Sequence, residues 1–329
     1  MKKLFSTIFI ALALMILFVG CGSKEVDKEE VKVEPVNIHV IAPNGTPTLS
    51  MVKLFEENPS MGDGVTVTYE SIAATDVLAS KLTQQEADIA IVPTNLAANM
   101  YNKEVPYKLA GSSVWGILYL VSTEEVNGWE DLKGKEISMI GRGLTPDATF
   151  RYLLTKNNVE PDKDVSLKYF SGGSELAASF ISGKGEYALI PEPLLTKVLM
   201  KRKDAKVVLD MQREWSTATG LESYPQASII VSDDLINNHP EVVDKFLNAY
   251  EEGIKWANDN PLEAGKYYEN LGIGLKAPLI NKAMAGCNIR YVGATDAKES
   301  LEAYLNVLFE FNPKLLGGKL PDEGLYLER

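Results

Sequence analysis

The chain has 329 residues, of which 33 are basic and 45 acidic, so its formal net charge is −12 at pH 7. This acidic balance disfavours nucleic acid and anionic membrane surfaces as partners. The two histidines are isolated in sequence, and no Cys/His or carboxylate cluster has the spacing of metal ligands. The composition therefore predicts no metal, no cofactor and no nucleic-acid partner.

The N-terminus is typical of an exported lipoprotein. Two lysines precede an apolar run at 8–19 that is too short to span a bilayer comfortably and fits a secretory signal. Small residues before Cys21 resemble a lipobox, in which the cysteine is lipid-modified; an uncleaved membrane anchor is the alternative. We expect residues 1–20 to be the signal peptide and 21–36 a solvated tether, because its Glu, Lys and Val composition cannot offset the ordering entropy. The protein would then stand outside the cytoplasm, held to the cell membrane only through lipid on Cys21. Cys287 would be left without a disulfide partner, as a small core residue.

The rest of the chain contains an internal repeat, with its two copies about a hundred residues apart. Strand patterns occur at 37–41, 65–70 and 87–92 in the first copy and at 136–140, 165–170 and 186–190 in the second. Helix patterns fill the gaps at 47–57, 75–85, 146–157 and 174–182. This alternation predicts an α/β fold with two lobes, each a mostly parallel sheet flanked by helices. Two such lobes predict a cleft between them for a small molecule.

Two β-rich segments, 107–122 and 226–231, bracket the second copy, and we interpret them as crossovers between the lobes. We expect the lobes to move about hinges near 107–113 and 222–228. Helical patterns follow at 240–258, 261–271, 276–285 and 296–310, and with no third copy this tail is expected to complete the first lobe. The predicted lobes are therefore 37–110 with 226–329, and 111–225.

The candidate ligand-binding residues lie in the loops that follow the strands. In each copy a strand runs into a loop and then a Thr-Pro pair, so Thr46 and Thr145 are expected as helix N-caps. They could be no more than good caps, but loops at the carboxyl edge of α/β sheets are where ligands bind. Paired helix N-termini would favour an anionic or strongly polar ligand. Arg142 is the only basic side chain in these loops, and it could either fork onto a carboxylate, sulfonate or phosphate or remain solvated on the surface.

Glu192 and three aromatic residues can each be interpreted in two ways. Glu192 could face the cleft mouth or be a surface carboxylate. Trp115, Trp215 and Tyr224 could stack on a ligand or pack in the core and hinge. The full predicted ligand-binding set is Asn44, Gly45, Thr46, Thr75, Thr94, Asn95, Trp115, Arg142, Thr145, Gly173, Ser174 and Glu192.

No catalytic set emerges from the sequence. It contains no nucleophile elbow, no phosphate-binding loop and no dinucleotide fingerprint placed between a strand and a helix. The sequence therefore predicts a binding protein and not an enzyme.

Three stretches carry a family resemblance. Residues 131–137 (DLKGKEI), followed by a glycine loop and a Thr-started helix, resemble the start of the second lobe in extracytoplasmic solute-binding proteins of the nitrate/sulfonate/taurine type. Residues 183–193, closing on Pro-Glu-Pro, and 239–264, from His-Pro-Glu to Asn-Pro-Leu-Glu-Ala, are similar to later parts of the same family. The resemblance covers roughly 37–310. It implies a type II periplasmic-binding fold with two crossovers, and delivery of the ligand to an ABC permease and its ATPase.

Together these observations predict a monomeric, lipid-anchored substrate-binding protein of an ABC importer. It would capture a small solute, such as an anionic sulfonate, by hinge closure. A neutral aromatic heterocycle such as a thiamine-pyrimidine precursor is a second possible ligand, although the cysteine-rich signature that some family members use for a pyrimidine is absent. Two rival functions also stay open, an enzyme on the same fold and a surface lipoprotein with an adhesive role.

Overall fold

The computed structural model describes residues 35–329. The predicted signal peptide and Cys21 lie outside the described residues, as does the predicted tether up to residue 34. Between residues 35 and 329, no helix is both long and apolar enough to cross a membrane.

Strands and helices alternate through most of the described chain. The strands are β1 (Val36–Pro43), β2 (Val65–Ile72), β3 (Ile89–Pro93), β4 (Tyr107–Trp115), β5 (Leu118–Ser122), β6 (Glu136–Ile140), β7 (Ser166–Phe170), β8 (Tyr187–Pro191), β9 (Lys206–Asp210), β10 (Pro225–Ser232) and β11 (Ile289–Gly293). The helices are α1 (Thr46–Ser50), α2 (Val52–Glu57), α3 (Thr75–Thr83), α4 (Thr94–Asn102), α5 (Thr145–Lys156), α6 (Gly173–Ile181), α7 (Leu194–Lys201), α8 (Met211–Thr219), α9 (Asp233–Asn238), α10 (Pro240–Asp259), α11 (Pro261–Asn270), α12 (Ala277–Ala283) and α13 (Ala294–Phe311).

The strands form two sheets, which confirms the two-lobed α/β fold. The first has the order β11-β4-β10-β3-β1-β2 and the second β7-β6-β8-β5-β9. The three repeat strands pair in parallel in each sheet, β1 with β2 and β3, and β6 with β7 and β8. The remaining strands add antiparallel. Both sheets are therefore mixed, because β10 and β11 run opposite to the repeat strands in the first sheet and β5 does so in the second.

The repeat is visible in the burial of the corresponding strands β3 and β8. Both have four buried residues followed by a half-buried proline, Pro93 or Pro191. A strand that is apolar on both faces needs cover on both faces, and helices supply it in α/β sheets. Each of these strands therefore lies at the centre of a lobe, and the loop that follows it lies at the carboxyl edge of its sheet.

The first crossover is short. The chain leaves the first sheet after Trp115 and enters the second at Leu118, so it passes between them at Gly116 and Ile117. The hinge expected near 107–113 is instead part of β4, where antiparallel pairing with β10 holds it. A Cβ on Gly116 would lie 2.8 Å from a carbon of Tyr224, so only glycine fits at this crossing. The chain returns through residues 220–224, between α8 and β10. The lobe boundaries predicted from the sequence stay a prediction.

Several elements were not expected from the sequence. They are α4, α7, β9, α8, α9 and β11. The tail also differs from a purely helical one, because β11 pairs antiparallel with β4 at the edge of the first sheet.

Candidate ligand-binding cleft

A cleft lies between the carboxyl edges of the two sheets. Its inner part is a cavity of about 100 Å³, and an adjoining part holds about 240 Å³. The two parts share six lining residues, which are Pro43, Asn44, Gly45, Ile140, Gly173 and Leu194. The first sheet and the second sheet both contribute to this set, so a molecule in the cleft would contact both lobes.

The walls of the inner cavity are mainly apolar and rigid. Five prolines line it, which are Pro43, Pro47, Pro93, Pro146 and Pro191. Among the described residues that line either part, none is Lys, Arg or His, whereas Glu192 lines the inner part and Glu175 the outer. An anion placed here would be buried with no basic side chain among these lining residues to balance its charge, which is a costly arrangement.

Thr46 and Thr145 do not act as the expected N-caps. The caps are Gly45 for α1 and Leu144 for α5, so each Thr-Pro pair lies one position later, inside the first turn. The freed hydroxyls reach across the cleft instead. Thr46 Oγ1 donates to the carbonyl of Glu192 at 2.7 Å, and Thr145 Oγ1 donates to Asn95 Oδ1 at 3.3 Å. Both threonines therefore join the first-sheet side of the cleft to the second-sheet side.

Asn95 is the centre of the second contact. Its Nδ2 donates to the carbonyl of Gly143 at 2.8 Å and to that of Leu315 at 3.3 Å. The hydroxyl of its neighbour Thr94 bonds instead to Ser228 Oγ of β10 at 2.9 Å, on the first-lobe side. Of this predicted pair, Asn95 bridges the lobes and Thr94 is internal.

The anion site expected from paired helix N-termini does not form. The Gly45 N–H, at the start of α1, already donates to the hydroxyl of Tyr268 at 3.0 Å, and α1 has only five residues. At the start of α5, the Gly143 N–H donates to Asp147 Oδ2 at 2.7 Å. Asp147 is buried, so the positive end of this helix is matched by a carboxylate of the chain itself.

Arg142 does not line either part of the cleft. It is exposed, and its guanidinium carbon lies 4.4 Å from the ring centre of Tyr169. A cation over an aromatic face is stabilised by the ring quadrupole. The solvated interpretation fits this position, and the anion-binding role does not.

Glu192 is a buried wall of the cavity, so it is not a surface carboxylate. Its side chain accepts from the Thr196 N–H at 3.0 Å and from Thr196 Oγ1 at 2.9 Å, at the start of α7. Its own N–H donates to the carbonyl of Ile117 in the crossover at 3.1 Å. Burial raises the pKa of the Glu192 carboxyl above its ordinary value, because the charged form is poorly solvated.

The candidate aromatic residues pack in the protein and do not line the cleft. Trp115 donates from Nε1 to the carbonyl of Arg290 at 3.0 Å. Trp215 lies 5.3 Å from Tyr224 and 5.4 Å from Tyr304 between ring centres, and all three are fully buried. This cluster joins α8 to α13 beside the return crossover. Hinge packing is therefore the interpretation that the structure supports.

Three of the remaining candidates line the outer part of the cleft. Asn44 lines it and accepts a hydrogen bond from Ser71 Oγ. Gly173 and Ser174 line it from the second lobe, and α6 begins at Gly173, so Ser174 is not its cap. Thr75 begins α3.

Sequence reasoning missed several lining residues. Ile117 comes from the crossover, Leu118 begins β5, and Leu144 comes from the loop that carries Arg142. Gln226, 7% exposed, lines the cavity from the start of β10. The available signal was a glutamine at the start of a strand pattern, since a buried glutamine side chain needs a polar partner.

Comparisons with known proteins agree with this architecture. A family model described as NMT1/THI5 like matches residues 63–264. The putative binding protein YtlA of Bacillus subtilis is 24% identical over 144 residues, which cover 43% of this chain and 41% of YtlA, so the match spans less than half of that relative. A crystal structure of an ABC transporter from Parabacteroides distasonis is 28% identical with a TM-score of 0.74, covering 89% of this chain and 99% of that one.

Two further structures are similar in fold. The alkanesulfonate-binding protein SsuA from Xanthomonas axonopodis pv. citri, bound to MOPS, is 15% identical with a TM-score of 0.67, over 89% of this chain and 97% of SsuA. The periplasmic nitrate-binding protein NrtA from Synechocystis PCC 6803 is 16% identical with a TM-score of 0.56, over 71% and 66%. These likenesses confirm the type II periplasmic-binding fold.

Proposed function

Because the chain belongs to the NMT1/THI5-like family, we propose that it is the substrate-binding component of an ABC import system. Relatives described as an ABC transporter and as a binding protein support this role and favour binding over catalysis. The protein would act as a monomer outside the cytoplasm, tethered through lipid on Cys21, and would deliver its ligand to a permease with its ATPase.

The proposed mechanism is closure of the two lobes on the ligand. The motion would occur at Gly116–Ile117 and at residues 220–224, where the chain passes between the sheets. Contacts of Thr46 with Glu192 and of Asn95 with Gly143 span the cleft and belong to the closed arrangement. A ligand that touches both walls stabilises closure, since it binds the closed state better than the open one. The permease would then recognise the closed shape.

The ligand that fits this cleft is a small neutral solute and not a sulfonate. The residues that line the cleft support a neutral ligand, because they include the buried Glu192 and no basic side chain. The Glu192 carboxyl can accept a hydrogen bond when charged or donate one when protonated, and its raised pKa brings the second form closer to neutral pH. A neutral aromatic heterocycle such as a thiamine-pyrimidine precursor suits both the apolar walls and this polar group.

The test compares matched solutes by thermal shift and calorimetry. We expect 4-amino-5-hydroxymethyl-2-methylpyrimidine to raise the melting temperature and taurine to leave it unchanged. The Arg142→Ala variant should keep the wild-type affinity for the pyrimidine, because Arg142 lies outside the cleft. Stabilisation by taurine alone, lost in Arg142→Ala, would contradict the proposal and restore the anionic ligand.

A further inference from the structure

Gln226 is a buried polar side chain with an unpaired oxygen. It is the second residue of β10, it lines the inner cavity and only 7% of it is exposed. Within residues 35–329, its Oε1 has no hydrogen-bond partner. Buried polar atoms in native proteins are nearly always paired, so an unpaired one at a cavity wall points to a partner that binds there.

A second glutamine nearby shows what a structural role looks like. Gln212, in α8, accepts at Oε1 from the Leu118 N–H at 2.9 Å and from the Tyr224 hydroxyl at 3.0 Å. Its Nε2 donates to the carbonyl of Leu118 at 3.1 Å and to Asp210 Oδ1 at 2.9 Å. Both polar atoms of the Gln212 side chain therefore have partners, in contrast to Gln226 Oε1.

The next inward polar side chain of β10 is also satisfied. Ser228 Oγ bonds to Thr94 Oγ1 at 2.9 Å and to Ser112 Oγ at 3.2 Å. The strand therefore pairs its polar groups where it packs against its neighbours. Of Gln212, Ser228 and Gln226, it is Gln226 at the cavity wall that keeps an unpaired atom.

We infer that the Gln226 carboxamide selects ligands that carry a hydrogen-bond donor. The inference rests on the proposed binding function and deepens it. Gln226 lines the cavity from the first lobe, and Glu192 lines it from the second. Both lie next to crossover segments, Glu192 through its bond to Ile117 and Gln226 two residues after Tyr224. Gln226 would therefore bind the ligand's donor group next to the hinge.

The chemistry of a carboxamide defines the ligand's polar edge. Its oxygen accepts and its nitrogen donates, so it pairs with an amino group next to an unprotonated ring nitrogen, as Asn and Gln do with adenine. A neutral six-membered ring with that edge also suits a cavity of about 100 Å³ with apolar walls. A ring of the same shape without the amino group would leave Gln226 Oε1 unpaired.

The experiment is a two-by-two comparison of residue and ligand. NMR titration of the whole protein measures the affinity of pyrimidin-4-amine and of pyrimidine for wild type and for Gln226→Leu. We expect wild type to prefer the amine by about tenfold or more, and the variant to lose that preference. Ligand-free Gln226→Leu should melt no lower than wild type, because the substitution removes an unpaired polar group.

The control is Gln84→Leu, the same substitution at an exposed glutamine in the turn after α3, outside the cavity lining. It should keep the wild-type preference. If Gln226→Leu keeps the wild-type preference for the amine, whatever its melting temperature, the inference is overturned and the proposed function stands. Failure of wild type to bind either ring would overturn the neutral-ring ligand class and the inference with it.

Discussion

Replacing Asn95 by alanine is expected to weaken ligand binding by destabilising the closed cleft. Two of its side-chain hydrogen bonds cross between the lobes, from Nδ2 to the Gly143 carbonyl at 2.8 Å and from Thr145 Oγ1 to Oδ1 at 3.3 Å. A third, to the Leu315 carbonyl at 3.3 Å, stays on the first-lobe side and is present whether the cleft is open or closed. Only the first two bias closure.

The size of the effect follows from those two bonds. At about 1 kcal/mol each, their loss raises the free energy of the closed state by about 2 kcal/mol relative to the open state. The apparent affinity falls with the population of the binding-competent state, so the dissociation constant should rise by up to about 30-fold. The intrinsic contacts of the ligand are unchanged, because Asn95 does not line the cavity.

The assay is calorimetry with 4-amino-5-hydroxymethyl-2-methylpyrimidine, and the chain offers a matched control. Asn99 lies further along α4, and its Nδ2 donates to the Lys314 carbonyl at 3.4 Å, on the same side of the cleft as Leu315. Asn99→Ala should keep the wild-type affinity. Wild-type affinity in Asn95→Ala, or equal weakening of binding in both variants, would contradict this role of Asn95.

Three further predictions concern closure, anchoring and pH. A Cβ on Gly172 would lie 2.6 Å from the Ala73 carbonyl oxygen across the cleft. Gly172→Ala should therefore reduce ligand-induced compaction in small-angle scattering. Gly128→Ala, with open space around it, should compact as the wild type does. Cys21→Ser should abolish incorporation of labelled palmitate, and equal labelling would rule out the anchor. Because burial raises the pKa of Glu192, its charged form destabilises the folded state above that pKa, and this cost disappears as the pH falls towards 4.5. The free energy of unfolding of Glu192→Gln relative to wild type, measured with denaturant, should therefore decline on acidification; a constant difference would contradict the buried charge.

The architecture could be predicted because the local sequence patterns that determine it occur twice. Alternating strand and helix signals, each closing on a proline at Pro93 or Pro191, identify the repeat and the edge where its loops meet. The helix α4 is hard to recognise in the sequence because it starts directly after Pro93, where Thr94 and Asn95 look like loop residues. Tertiary packing stabilises this helix, since its first five residues are all buried.

The cleft was harder to predict, because the sequence places a residue in a loop without saying which way its side chain points. Arg142 lies between two glycines in the correct loop, yet it turns onto Tyr169 at the surface. Thr46 has the sequence pattern of a cap and instead bonds to the backbone of a residue 146 positions away. Gln226 is hard to select from the sequence because its unpaired oxygen is a property of the folded neighbourhood.

The proposed ligand class can be checked by mass spectrometry of the small molecule that remains bound through purification and is released on denaturation. We expect a neutral solute of heterocycle size that carries a hydrogen-bond donor, because the residues lining the cleft include the buried Glu192, Gln226 with its unpaired oxygen, and no basic residue. Recovery of a sulfonate, nitrate or another anion would contradict it.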